Sequence, residues 1–110
     1  MTTVSLRASQ TFEHLMLDFL THLELERGLA RNTLESYRVD LLQLRAFLAH
    51  RGLDALAVER VKLAAFIDEL ANDRAKPPAA ATLHRKVACV RSFYGHLHRA
   101  GMIERNPASS

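Results

Sequence analysis

The sequence predicts an all-α domain of four helices packed as two helical hairpins, and three observations carry that prediction. Apolar residues recur at the three-four spacing of a helix face through most of the chain. No stretch alternates apolar and polar residues long enough to make a useful strand, and no internal repeat occurs. The 110 residues are 48% hydrophobic with only four Gly and three Pro, the apolar content of one compact soluble domain stabilised by burial.

The elements follow in order. Phe12, Leu15, Met16, Phe19, Leu20 and Leu23 form one stripe and place helix 1 at about residues 10–27. Ser9 or Thr11 can cap its start, and Gly28 supplies the left-handed stop that helix ends favour. Asn32 or Thr33 caps the second helix, with Glu35 and Ser36 in its first turn. Leu34, Tyr37, Leu41, Leu44 and Leu48 form its stripe, and it ends near Gly52. Val61, Ala64, Ala65, Ile67, Leu70 and Ala71 predict a shorter third helix. It stops before Pro77 and Pro78, because proline cannot continue the hydrogen-bond ladder, and Asp73 to Ala80 reads as a loop. Helix 4 starts around Ala81 or Thr82, carries Leu83, Val87, Val90, Tyr94 and Leu97 on one side, and breaks at Gly101. The organisation expected is a flexible N-terminus over 1–9, a helical domain over 10–104 and the start of a linker over 105–110, the last of these small, polar and unpacked.

Composition excludes several classes. The lone Cys89 leaves no internal disulfide and no Cys-based zinc site. His14, His22, His50, His84, His96 and His98 show no metal-ligand spacing within one helix face, so no metal and no cofactor are expected. No run approaches the roughly 20 apolar residues that span a bilayer, and the N-terminus lacks a basic-then-apolar secretory pattern, so a cytoplasmic location is expected, with no membrane partner. Net charge is +3 and the sequence pI about 9.5, above the level of about 9 at which a nucleic-acid footprint is worth seeking.

The position of the basic residues matters more than their number. On a helical wheel at about 100° per residue, the side of helix 4 opposite its apolar stripe carries Arg85, Ser92, His96 and Arg99, flanked by Lys86 and Arg91. A helix fits the major groove, and its arginines reach phosphates or guanine edges. Arg31, Asn32, Thr33 and Arg38 gather at the start of helix 2, where free amides and the positive dipole end favour a phosphate. Each cluster alone is more often a solvated face or an ordinary cap; two such clusters, each opening a long helix, are together more suggestive of DNA than either alone. Tyr37 and Tyr94 fall in apolar stripes and take no covalent role. Asp18, Glu24, Glu26, Asp68, Glu69 and Asp73 pair with no base or phosphate loop, so the chain alone is not expected to be an enzyme.

The order of motifs adds a family. Glu26-Arg27-Gly28-Leu29-Ala30-Arg31-Asn32-Thr33-Leu34, Ser36-Tyr37-Arg38 and Asp40-Leu41 resemble the first two helices of Xer-type tyrosine recombinases. Thr82 to Val87, Val90 to Tyr94 and Asn106-Pro107-Ala108 resemble the fourth helix and the start of the interdomain linker, so the likeness covers residues 11 to 108. It implies the SAM-like N-terminal, core-binding domain of a phage-integrase-type recombinase, whose second and fourth helices face the major groove of double-stranded DNA. A following catalytic domain, expected after Ser110, would cut and rejoin DNA through a phosphotyrosyl intermediate. By the same likeness Thr33 and Tyr37 match the helix-2 motif, Arg85 and Arg91 are the principal DNA contacts, Arg31, Asn32, Thr33 and Arg38 contact the backbone and Lys86 is an auxiliary charge; Ser92, read from the helix-4 face itself, is a small hydroxyl suited to close backbone approach. Ala88 and Cys89 depart from the family pattern, which puts a contact at 88 in doubt.

The resemblance also implies contacts with other recombinase protomers, for which Phe12 and Met16 are candidates if exposed, although the domain alone is expected to be monomeric. Two other readings also fit the sequence. One is a stand-alone protein-interaction domain; the other is a DNA-binding regulator built on a helix-turn-helix. Against the latter stand a connection from Arg27 to Asn32, longer than the tight turn of about three or four residues such modules use, and a whole helix between the two basic ones.

Overall fold

The computed structural model describes residues 11–109, and the Ser9 cap and the segment 1–9 lie outside the described residues. Four helices are present, α1 (Phe12–Arg27), α2 (Arg31–His50), α3 (Arg60–Ala71) and α4 (Ala80–Arg99), with no strand among the described residues. The all-α prediction holds.

Helix α1 starts where a side-chain acceptor meets its first free amides: Thr11 Oγ1 accepts from the His14 N–H at 3.2 Å. Its inner face buries Leu15, Met16, Phe19 and Leu23, so Met16 is not available to a partner, and Phe12 packs on Phe93 with ring centroids 5.5 Å apart. Gly28 ends the helix at φ +62°, a conformation in which a Cβ costs roughly 1 to 2 kcal/mol.

Helix α2 then begins earlier than the sequence suggests. Ala30, extended at ψ 153°, is its N-cap residue, so Asn32 and Thr33 lie inside the first turn and neither side chain caps it. The turn between α1 and α2 is therefore only Gly28, Leu29 and Ala30, which falls within the range of a helix-turn-helix. Turn length does not exclude that motif; only the interposed α3 separates the two basic helices.

Helix α3 is rotated relative to expectation. Leu63 and Phe66 are its buried residues, flanked by the partly buried Ile67 and Leu70, whereas Val61 is 76% exposed and Ala64 and Ala65 face out. The larger side chains take the inner positions because they remove more apolar area from water. Phe66 meets Phe47 of α2 with ring centroids 5.0 Å apart. The Phe47 ring also carries the Arg51 guanidinium, 4.2 Å from its centroid, and that guanidinium pairs with Glu69.

Helix α4 is the central element, packed against α1, α2 and α3. It buries Lys86, Cys89, Val90, Phe93, Tyr94 and Leu97, while Leu83 and Val87 of the expected stripe are half-buried. Phe93 sits at the middle of the aromatic cluster, 5.5 Å from Phe19 and 5.2 Å from Tyr94 between centroids. The Tyr94 hydroxyl donates to the Ala55 carbonyl at 3.0 Å and ties α4 to the α2–α3 connection.

After α4, Gly101 at φ +76° lets the Met102 N–H return to the Leu97 carbonyl at 2.9 Å, and Ile103 turns into the core. The tail is not wholly unpacked. Asn106 Oδ1 accepts from the Ala108 N–H at 2.9 Å, and Ala108 rests against the core, because this turn brings a small apolar side chain back to the α3–α4 surface.

Candidate nucleic-acid interface

Helices α2 and α4 cross around one carboxylate. Asp40 lies in α2 between Tyr37 and Leu41, Leu44, a position whose helical spacing turns it inward. Its side chain is 1% exposed. A buried carboxylate is tolerated only when paired and hydrogen-bonded. The pairing comes from α4: Arg85 Nε donates to Asp40 Oδ2 at 3.0 Å, Arg85 Nη2 to Oδ1 at 2.7 Å, and Lys86 Nζ to Oδ1 at 2.8 Å. Lys86 also donates to Gln43 Oε1. One anion thus holds two adjacent cations, and the cluster keeps a net positive charge. The bond to Asp40, more than its field, holds Arg85 in the charged form, against a smaller opposing effect of burial.

This geometry corrects the helix-4 face drawn from the sequence. Arg85 and Lys86 do not stand free on a basic stripe; Lys86 is buried, and Arg85 keeps 36% of its side chain exposed. Ser92 is half-buried. His96 is turned inward against Phe19 and His22, and its Nε2 lies 2.9 Å from Asp18 Oδ2. Periodicity gives helix 4 one packed face and leaves the opposite, basic face free to meet DNA or solvent, but a helix enclosed by three others has a second packed side. The exposed positions of α4 run instead through His84, Arg91 and His98, with Arg99 beside them.

On α2, Arg31 and Arg38 are exposed with Glu35 between them, Asn32 is exposed and Thr33 half-buried. No carboxylate among the described residues forms an ion pair with Arg31, Arg38 or Arg91, whereas Arg45 is tied to Glu13 at 2.6 Å. Tyr37 is half-buried and stacks on Phe19 at 6.4 Å with an interplanar angle of 6°. Burial, then the nearby Cys89, raises the Tyr37 hydroxyl pKa, while Arg27 and Arg85 lower it, so the ring lies within the field of the Asp40 cluster. Among the described residues no group of three His, Cys, Asp or Glu is arranged to hold a metal, and no helix is long and apolar enough to cross a membrane. Asp40 and Gln43 are the residues that sequence reasoning missed. The available signal was a carboxylate in the middle of the Tyr37, Leu41, Leu44 stripe, which needs a cation from another helix.

Residues 17–101 match the family described as phage integrase, N-terminal SAM-like domain. The chain belongs to that family. The SAM-like domain is 40% identical over 93 residues to a tyrosine recombinase XerC of Pelobacter propionicus, covering 82% of this chain and 30% of the relative. It is 40% identical over 98 residues to a tyrosine recombinase XerD of Pseudomonas aeruginosa, covering 88% and 32%. With a tyrosine recombinase XerC of Chlorobaculum tepidum it shares 37% over 99 residues, covering 84% and 29%. The SAM-like domain thus spans about a third of the length of the curated relatives it matches.

Proposed function

We propose that this SAM-like domain is the DNA-gripping module of an Xer-type, site-specific tyrosine recombinase working on double-stranded DNA in the cytoplasm. The observation that carries the reading is the charge arrangement on α2 and α4: Arg31, Arg38 and Arg91 are exposed without ion-pair partners, and the cluster between the two helices keeps an excess cation around Asp40. Asn32 and Thr33 add polar groups at the start of α2, beside N–H groups that no side chain caps. On this reading Arg31, Arg38 and Arg91 contact phosphates by charge, and Arg85 presents the edge of its guanidinium that Asp40 leaves unused. Lys86 contributes field rather than a contact. Ser92, half-buried, permits close approach without being a main contact.

Strand cleavage and rejoining would belong to the parent recombinase, and this domain would position the recombination half-site for it. The exposed Leu17 and Leu25 on α1 offer apolar surface for contacts with other protomers on DNA.

Fluorescence anisotropy of labelled random-sequence duplex across a salt series tests the reading. Engagement of about four phosphates predicts a slope of log K against log salt of about −3.6, with nonspecific dissociation constants of roughly 10⁻⁴ to 10⁻⁶ M. Absence of salt-sensitive binding at low ionic strength would overturn it and favour a protein-interaction domain.

A further inference from the structure

We infer that Asp40 is a positioning residue for DNA binding, a buried anion that raises affinity for a polyanion by fixing the guanidinium of Arg85. The inference rests on the reading of α2 and α4 as a DNA-binding face.

The geometry is specific. Asp40 meets Arg85 side-on through Nε and Nη2, at 3.0 and 2.7 Å, in the planar match that suits guanidinium and carboxylate. A guanidinium has five N–H groups, so the two used here leave three, on Nη1 and the outer side of Nη2, directed away from Asp40. With 36% of the Arg85 side chain exposed, that end remains open to a phosphate oxygen. The carboxylate itself is 1% exposed and shielded by Lys86, whose Nζ holds Oδ1 at 2.8 Å and also reaches Gln43. Asp40 therefore presents almost no anionic surface to DNA while it immobilises a cation at the junction of α2 and α4. An arginine held in one rotamer before binding loses less side-chain entropy when it docks than a free one does.

The consequence runs against simple charge counting. Asp40→Asn raises the net charge by one, which on electrostatics alone strengthens DNA binding. Positioning predicts the reverse, because the neutral amide presents one acceptor where the carboxylate presents two, and Arg85 is released to sample other rotamers. The expected loss is about three- to tenfold in affinity, the scale of freeing one long side chain.

The experiment is a double-mutant cycle on the 110-residue chain. Affinity for a random-sequence duplex is measured by anisotropy for the native protein, Asp40→Asn, Arg85→Ala and the double variant, each confirmed folded by circular dichroism. The expected result is weaker binding by both single variants, with no further weakening when Asp40→Asn is added to Arg85→Ala. If Arg85→Ala weakens binding but Asp40→Asn strengthens it, the positioning role is overturned while the DNA reading stands. If Arg85→Ala leaves affinity unchanged in a protein that still binds DNA, the role of Arg85 and this inference fall together; if the native protein does not bind, the underlying reading falls first.

A measurement on the unaltered chain keeps the test independent of any variant's folding. In arginine side-chain ¹⁵N spectra the Arg85 Nε–H is expected to exchange with solvent more slowly than that of exposed Arg38, and to stay protected when duplex is added while the Nη resonances shift. An Arg85 Nε–H that becomes exposed on DNA binding would overturn the inference, because the arginine would then leave Asp40 to reach its target.

Discussion

Asp40 and Arg85, 45 residues apart in sequence, meet side-on across α2 and α4 with Nε–Oδ2 and Nη2–Oδ1 distances of 3.0 and 2.7 Å. Lys86 shares the same carboxylate but is far less accessible, with 11% of its side chain exposed against 36% for Arg85. The two ends of this network carry unequal consequences for stability. Removing Asp40 strands a buried ammonium, whereas removing Lys86 leaves Asp40 bonded to Arg85. Asp40→Ala is expected to cost about 3 to 5 kcal/mol, and Lys86→Met, which replaces the ion with an apolar chain of similar length, about 1 kcal/mol or less. Urea denaturation of both variants at pH 7 checks the asymmetry; equal costs would mean that Arg85 alone does not stabilise the carboxylate.

Tyr94 is fully buried, and its hydroxyl donates to the Ala55 carbonyl at 3.0 Å. Tyr94→Phe keeps the ring packing on Phe93 and removes only that bond, leaving the carbonyl without its side-chain donor. The expected loss is about 1 to 3 kcal/mol. The helix content by circular dichroism should be unchanged and the thermal midpoint lower, since the bond anchors the α2–α3 connection to α4 without forming either helix.

Alkaline pH should unfold the domain through two groups on α4. Burial raises the pKa of the Cys89 thiol and of the Tyr94 hydroxyl, the first starting from an ordinary value of 9.0 and the second from 10.0. Both are acids that are neutral when protonated. The folded state therefore retains protons that the unfolded chain gives up. Their contribution to stability is complete below the ordinary values and is lost as pH rises above them, by at most about 1.4 kcal/mol per pH unit for each group. Cys89→Ala should delay the onset of this loss, because the thiol has the lower starting value. In the native domain Cys89 should resist a thiol reagent at neutral pH and react on addition of denaturant.

The fold was legible wherever one helix face decided the outcome. Leu15, Met16, Phe19 and Leu23 of α1 and Leu41, Leu44 and Leu48 of α2 are buried as their spacing requires, and Gly28 ends α1 in the left-handed conformation expected of it. It was less legible where a helix is packed on more than one side. Periodicity assigns one buried face per helix, so it turned Arg85, Ser92 and His96 of α4 outward, and it missed that Cys89 and Phe93 are fully buried. In α3 it counted Val61 and the small residues Ala64 and Ala65 as inner and passed over Phe66, because spacing does not weigh side-chain size. The ionic cluster was hidden for a different reason: Asp40 and its two cations lie on separate helices, and nothing local in either segment pairs them. The only local sign of it is the misfit of a carboxylate, Asp40, within the apolar stripe of Tyr37, Leu41 and Leu44.

Location rather than net charge should govern DNA affinity. Arg38 and Arg91 are exposed on α2 and α4 without ion-pair partners; Arg74 is equally exposed and unpaired but lies in the α3–α4 connection. Substituting any one of them by alanine lowers the net charge by the same amount. If α2 and α4 dock on the duplex, Arg38→Ala and Arg91→Ala each make the salt slope shallower by about 0.9, the signature of one lost phosphate contact, and Arg74→Ala leaves it unchanged. All three side chains are exposed and form no ion pair among the described residues, so thermal midpoints should stay within the range of ordinary surface substitutions. Equal slopes for all three variants would mean that the domain attracts DNA through its overall charge alone, and a change confined to Arg74→Ala would move the contact surface to the α3–α4 connection.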